Sequence, residues 1–334
     1  MYKMKEDLLQ LFPEKKRAFW KKAASQQDLI EEIRLRAGKP ICIRKGGREW
    51  YLDAQGNFLE GQFGACGINE EEMEAMLQHI CHYSLYAFED ELKQGFITVA
   101  GGHRIGLAGQ TVLNDDGSVR TIKHIYYMNI RVSHQIKGAA DGIMPCLYQG
   151  NTVKNTLIIS PPGCGKTTLL RDMVRQISDG SREHPGLCVG LVDERSEIAG
   201  SYLGHPQNDV GMRTDVLDAC PKVKGMLMLL RSMAPQVIAV DELGGEEDMK
   251  ALHVAASCGS KMLATVHGEN MEDAAGRLGR EEFTGNGLFD LFLVLSRKNG
   301  EPTISDILKR EEVHASYSGR NHDSFGLLRN RSLV

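Results

Sequence analysis

Residues 156–175 constrain the fold of this chain more tightly than any other stretch. Thr156-Leu157-Ile158-Ile159 reads as a strand, Gly165 to Arg175 reads as a helix, and between them lies Ser160-Pro161-Pro162-Gly163-Cys164-Gly165-Lys166-Thr167-Thr168. Glycines let successive backbone N–H groups turn inward, because no Cβ blocks their approach to an anion. The helix N-terminus adds partial positive charge at the same place. A strand, a glycine-rich loop ending in Gly-Lys-Thr and a helix make up the context of a phosphate-binding loop. Pro162, Gly163, Cys164, Gly165, Lys166, Thr167 and Thr168 are therefore the expected nucleotide-binding residues. Lys166 would reach the β- and γ-phosphates, and the Thr167 hydroxyl would bind Mg²⁺, the one cofactor expected beside the substrate ATP. The first glycine of the usual pattern is Ser160 here, at the strand end farthest from the γ-phosphate. Cys164, a thiol near a helix N-terminus, is expected to be partly activated.

A strand that feeds such a loop needs a sheet around it. From residue 154 onward, apolar runs of strand length alternate with helical segments: Leu157–Ile159, Leu187–Val192, Val237–Val240, Met262–Val266 and Leu291–Leu295. Continuous apolar runs suit buried parallel strands, and alternation with helices implies an α/β sheet covered on both faces. Ligands bind at the carboxyl ends of strands in such sheets. Val237–Val240 ends there in Asp241-Glu242. Asp241 is expected to help hold Mg²⁺, and Glu242 to act as general base on the attacking water. Leu191-Val192 ends in Asp193-Glu194, so Glu194 competes with Glu242 for that role. Met262–Val266 ends in His267, a candidate γ-phosphate sensor. Lys166, Glu242, Glu194 and His267 are thus the candidate catalytic residues.

The N-terminal part reads differently. Residues 1–24 have a helical pattern interrupted at Pro13 and carry a basic cluster of Lys15, Lys16, Arg17, Lys21 and Lys22 beside Phe19 and Trp20. Ile33–Arg36 and Ile41–Arg44 read as strands joined by a turn at 37–40, and 69–93 reads as a helix with an acidic first turn. Residues 96–134 are strand-like, broken at Gly101-Gly102 and at the hairpin signal Asn114-Asp115-Asp116-Gly117. The expected organisation is an α+β domain over 1–137, a P-loop (RecA-like) NTPase domain with a mostly parallel sheet over 138–310, and a mobile tail over 311–334. The eight cysteines are scattered and form no CxxC pair, which suggests neither zinc nor a disulfide framework. No apolar run is long enough to span a membrane, and the charged N-terminus lacks the apolar core of a secretion signal. The net charge of −4 and the few interleaved aromatics argue against nucleic acid as a partner.

In this order the motifs resemble those of the hexameric ATPases of type II and type IV secretion: the phosphate loop, an acidic box at Asp193-Glu194, the acidic strand preceded by Leu230-Arg231, and a histidine box at Ala264-Thr265-Val266-His267. A closer resemblance, covering nearly the whole chain, is to the stage III AA family of sporulation ATPases. It is carried by Gly102-His103-Arg104-Ile105-Gly106-Leu107-Ala108-Gly109, Asn129-Ile130-Arg131, Val192-Asp193-Glu194-Arg195-Ser196-Glu197-Ile198 and Gly211-Met212-Arg213-Thr214-Asp215-Val216-Leu217-Asp218. The resemblance implies Mg²⁺-dependent ATP hydrolysis by a cytoplasmic homo-oligomer, a hexamer, on the mother-cell side. That oligomer would act on a channel to the forespore through a membrane protein of the same operon. It also implies an arginine facing the γ-phosphate, with Arg131, Arg104, Arg213 and Arg231 as candidates. Two features depart from the secretion ATPases: Leu243-Gly244-Gly245 follows the acidic pair where an arginine is usual, and their tetracysteine zinc module is absent. A nucleic-acid-dependent ATPase and a nucleotide-regulated scaffold are the competing readings.

Overall fold

The computed structural model describes residues 7–82, 88, 92, 93, 95–283, 287–298 and 301–318. The chain divides into two compact units, Met1–His134 with Gly200–Asn208, and Gln135–Ala199 with Asp209–Val334. The excursion Gly200–Asn208 lies inside the segment expected to form the NTPase domain, yet its contacts belong to the first unit.

In the first unit, Pro13 separates α1 (Asp7–Gln10) from α2 (Glu14–Ala24), as a residue without an N–H does best just ahead of a helix. The Phe12 and Trp20 rings stack at 3.9 Å, and both are buried. Much of the basic cluster is engaged: Lys16 pairs with Glu72, Lys22 donates to Asn57, and Arg17 donates to the Phe12 carbonyl. Then follow β1 (Ile30–Arg36), β2 (Lys39–Pro40), β3 (Cys42–Lys45), β4 (Arg48–Leu52), β5 (Phe58–Leu59), β6 (Gly67–Ile68) and α3 (Glu70–Ile80). β7 (Phe96–Thr98), β8 (Arg104–Leu113) and β9 (Val119–Arg131) complete it. The sheet order is β5-β4-β3-β1-β9-β8-β7. Lys39–Pro40, expected in a turn, pairs instead with Gly67-Ile68, because the chain from β6 supplies an edge beside it. An Asn69–Glu72 capping box starts α3. The helix expected over 69–93 is helical to Ile80, and 83–87 and 89–91 lie outside the described residues. The hairpin signal marks a true turn: Asn114 and Ser118 are bonded across it, and Gly117 takes φ +81°.

The second unit begins with α4 (Met144–Leu147), β10 (Tyr148–Gln149) and β11 (Thr152–Val153). Its sheet-forming run is β12 (Thr156–Ser160), α5 (Lys166–Asp179), β13 (Val189–Asp193), β14 (Thr214–Asp218), α6 (Lys222–Ser232), β15 (Val237–Val240), α7 (Glu246–Ser257), β16 (Lys261–His267), α8 (Met271–Leu278), β17 (Leu291–Lys298), β18 (Glu301–Lys309) and α9 (Arg310–Ser318). Strand order is β14-β13-β15-β16-β12-β17-β18. Every pairing from β14 to β17 is parallel, and β18 joins antiparallel. Side chains alternate across the sheet. Leu157, Ile159, Ile238, Val240, Met262 and Ala264 enter one core, while Ile158, Val237, Ala239, Leu263, Leu291 and Leu293 enter the other. This two-sided burial is the reason the strands read as continuous apolar runs. Within the segment 311–334, residues 311–318 lie in α9 and 319–334 fall outside the described residues. Among the described residues no helix is long and apolar enough to cross a membrane.

Candidate functional site

The parallel strands end along one edge. Ser160 of β12 lies in register with His267 of β16, Asp193 ends β13, and Asp241 directly follows β15. After β12 the loop turns through Gly163 at φ +72° and Gly165 at φ +82°, both left-handed conformations that favour glycine. Gly165 is the N-cap of α5, so the helix starts at Lys166 and the Gly165 carbonyl accepts its first bond, from Leu169 N–H. Thr167 and Thr168 occupy the first turn, half-buried. The Cys164 side chain packs in the apolar core with Ile158, Leu169 and Leu170. The expected activation of this thiol is not matched by access to it: the loop turns the side chain inward, at 4% exposure.

Lys166 brings the edge together. Its ammonium donates to His267 Nε2 at 2.9 Å and to Glu242 Oε2 at 3.3 Å. His267 Nδ1 lies 3.3 Å from the Ser160 carbonyl, which only accepts, so the ring donates from Nδ1 and receives Lys166 at Nε2. Glu242 Oε1 stands 3.2 Å from the same Nε2. Burial alone would raise Glu242, but the Lys166 ammonium first, then His267 and, least, the Arg195 guanidinium hold it below the usual carboxylate range. Asp241 is buried, and desolvation raises its pKa although Lys166 and a hydrogen bond from Thr265 oppose that.

The two carboxylates competing as base are in different surroundings. Glu194 Oε2 is held by Lys222 Nζ at 2.6 Å, at the start of α6, whereas Glu242 faces the phosphate-loop lysine. Asp193 is fully buried and caps a turn: its carboxylate accepts N–H bonds from Glu197, Ile198 and Ala199 at 2.9, 3.0 and 2.8 Å. Burial still pushes it up to about 6.

The four arginine candidates are dispersed. Arg104 and Arg131 face each other in the β8–β9 register of the first unit, Arg104 lying over the Phe96 ring. Arg213 donates to the carbonyls of Ser178 and Asp179, at the end of α5 opposite the loop. Arg231 is exposed in the last turn of α6. The arginines that approach the loop and its carboxylate were not singled out from sequence. Arg297 of β17 donates to the Gly163 carbonyl at 2.7 Å, and Arg195 comes within 3.6 Å of Glu242 Oε2. Nothing in the local pattern around either marks it, since both approaches are made by tertiary folding.

A family model described as Sporulation stage III, protein AA matches residues 2–314. The Stage III sporulation protein AA of Bacillus subtilis (strain 168) is 40% identical over 306 residues, which cover 91% of this chain and 95% of that protein. Among solved structures, the ATPase DotB of Legionella pneumophila aligns with a TM-score of 0.57 at 16% identity, over 91% of this chain and 83% of that one. The pilus retraction motor PilT, solved with bound ADP, aligns with a TM-score of 0.60 at 14% identity, over 90% and 86%. At such identities the likeness speaks for the fold, an α/β P-loop architecture with a mostly parallel sheet.

Proposed function

Because this chain belongs to the sporulation stage III, protein AA family, we propose that it is a Mg²⁺-dependent ATPase whose turnover works a membrane-associated channel assembly between mother cell and forespore. The observation that carries the reading is the meeting of Lys166, Glu242 and His267 at the strand ends, beside a left-handed glycine loop and a helix N-terminus. The N–H groups of residues 163–168 cradle the phosphates, and Lys166 transfers its donors to the β- and γ-phosphate oxygens. Glu242, kept ionised by its cationic neighbours, accepts hydrogen bonding from the attacking water and orients it. His267, with Nδ1 committed to Ser160, would sense the terminal phosphate by donating from Nε2 in its protonated form, because phosphate oxygens only accept.

Thr167 and Asp241 fit the Mg²⁺ expected with ATP: both offer hard oxygen, and Asp241 is a buried carboxylate whose pKa is raised by desolvation, a cost that a bound cation would offset. Held by these two residues, the ion would supply charge neutralisation for the phosphates. Within the second unit Arg213 and Arg231 are held away from the loop, so a role for either at a phosphate would be across a subunit boundary; Arg131 and Arg104 of the first unit stay candidates for the same role. The working form is a homo-oligomeric ring, a hexamer by resemblance, and its output passes to a membrane protein of the same operon on the mother-cell side. The fold shared with the ATPase DotB and with the retraction motor PilT supports the motor reading over a nucleic-acid-dependent one.

Phosphate release by wild type and Lys166→Ala tests the site. Wild type is expected to release phosphate with Mg²⁺ and the variant only at background. Equal release would remove the assignment. For Glu242→Gln, ATP binding is retained and turnover falls about a hundredfold or more; loss of binding instead would end its role as base.

A further inference from the structure

The segment Asp193–Ala199 is pinned from several sides. The Asp193 carboxylate takes three consecutive N–H groups, from Glu197, Ile198 and Ala199. Arg171, on α5 just beyond the phosphate loop, donates to the carbonyls of Glu197 and Ile198 at 2.6 and 2.5 Å. Ser196 takes φ +52°, and its hydroxyl donates to Asp218 Oδ1 at 2.5 Å. Glu194 is tied to Lys222. Three of the four side chains from 193 to 196 therefore serve the frame of this turn. The fourth, Arg195, projects from it with 64% of its side chain exposed and reaches Glu242 Oε2 at 3.6 Å. Lys166 approaches the same oxygen at 3.3 Å.

Two cations flanking one carboxylate oxygen, one of them the phosphate-loop lysine, place Arg195 beside the position of a terminal phosphoryl group. We propose that Arg195 is a catalytic residue acting within its own chain, whose guanidinium contacts the γ-phosphoryl group of ATP and stabilises the charge that develops during its transfer to water. The inference rests on the proposed ATPase function and extends it. A planar guanidinium matches phosphate oxygens in a way an ammonium does not. An exposed Arg–Glu pair alone contributes little to stability, so four anchors on its turn are better explained by the need to aim it. Arg297 does not compete for this place, because it is bonded to the Gly163 carbonyl, a backbone acceptor.

The test compares purified full-length wild type, Arg195→Ala, Arg195→Lys and Lys166→Ala. Measured are steady-state phosphate release across pH, ADP affinity, and trapping of ADP with aluminium fluoride, a mimic of the transferring phosphoryl group. For Arg195→Ala we expect kcat to fall about a hundredfold, ADP affinity to stay within about threefold, and trapping to be lost. Arg195→Lys should recover only part of the activity. Unchanged turnover in Arg195→Ala overturns the inference and leaves the ATPase reading intact. So does intact trapping with a loss confined to the acid limb of the pH profile, which would make Arg195 a mere ion-pair partner of Glu242. No wild-type release above the Lys166→Ala level overturns the ATPase reading and this inference together.

Discussion

Glu242 holds a backbone conformation that glutamate rarely adopts, with φ +35°. Such a residue costs on the order of 1–3 kcal/mol and persists only where its surroundings impose it. Here the Glu242 N–H donates to Asp241 Oδ1 at 3.0 Å and to Thr265 Oγ1 at 2.9 Å, and Leu243 N–H donates to the Thr265 carbonyl at 2.7 Å. The fully buried Thr265 hydroxyl also donates to Asp241 Oδ1 at 2.9 Å. One hydroxyl thus accepts from one member of the acidic pair and donates to the other, which neither a carbonyl nor a methyl group does. Thr265 and His267 lie two apart on β16 and so face the same side of the sheet. Thr265→Val keeps the shape but removes the hydroxyl. We predict a loss of about 1–3 kcal/mol in urea unfolding, from the unsatisfied groups left behind, and a fall in phosphate release of roughly tenfold as Glu242 relaxes. Thr265→Ser should retain both. A Val variant matching wild type in stability and turnover would show that something else holds Glu242.

At the scale of elements, the position of α6 matters because its first residue, Lys222, holds Glu194. The helix packs on β13 through Gly225, where an added Cβ would meet Val192 Cγ1 at 2.5 Å, Val192 Cγ2 at 3.1 Å and Cys220 Sγ at 3.3 Å. Two effects oppose each other in Gly225→Ala. Alanine favours the helix by about 1 kcal/mol, while forcing a methyl group into a filled contact costs about 1–3 kcal/mol. The clash falls on a fully buried β-branched side chain with little room to yield, so we expect net destabilisation and a lower melting temperature. A variant melting at or above wild type would refute the close packing. Contacts of this kind are what the sequence conceals. The strands β12, β13, β15, β16 and β17 are legible because burial on both faces leaves continuous apolar runs. β14 and β18 are not: they form the sheet edges, and Thr214–Asp218 and Glu301–Lys309 mix charged and apolar residues. The phosphate loop and the acidic strand are legible because their chemistry is local. The approaches of Arg195 and Arg297, the seat of Thr265 between the Asp241 carboxylate and the Glu242 N–H, and the membership of Gly200–Asn208 in the first unit arise only when distant segments meet.

One buried group in each unit should contribute to stability in acid with opposite sign. In the first unit His103 is 3% exposed and accepts the Ser133 N–H at Nδ1. Burial, with the charge of His134 nearby, lowers its pKa to about 4 from 6.5. Between those values the unfolded chain binds the proton and the folded one does not, so stability present above pH 6.5 is lost as pH falls, by about 3 kcal/mol in all. In the second unit Asp193 is raised to about 6 from 3.8, mainly by burial. There the folded state binds the proton first, so the same acidification adds about 3 kcal/mol. A measurement that sees the whole chain would average the two. The chain offers a selective one, because its two tryptophans, Trp20 and Trp50, both lie in the first unit. Urea unfolding followed by tryptophan fluorescence should show wild type losing stability from pH 6.5 to 4 relative to His103→Asn, whose amide oxygen takes the place of Nδ1 as acceptor for Ser133 but does not titrate. Parallel curves for the two proteins would mean that the buried imidazole is not the acid-sensitive element of this unit. The expected divergence would place it there, apart from the opposite contribution of Asp193 in the other unit.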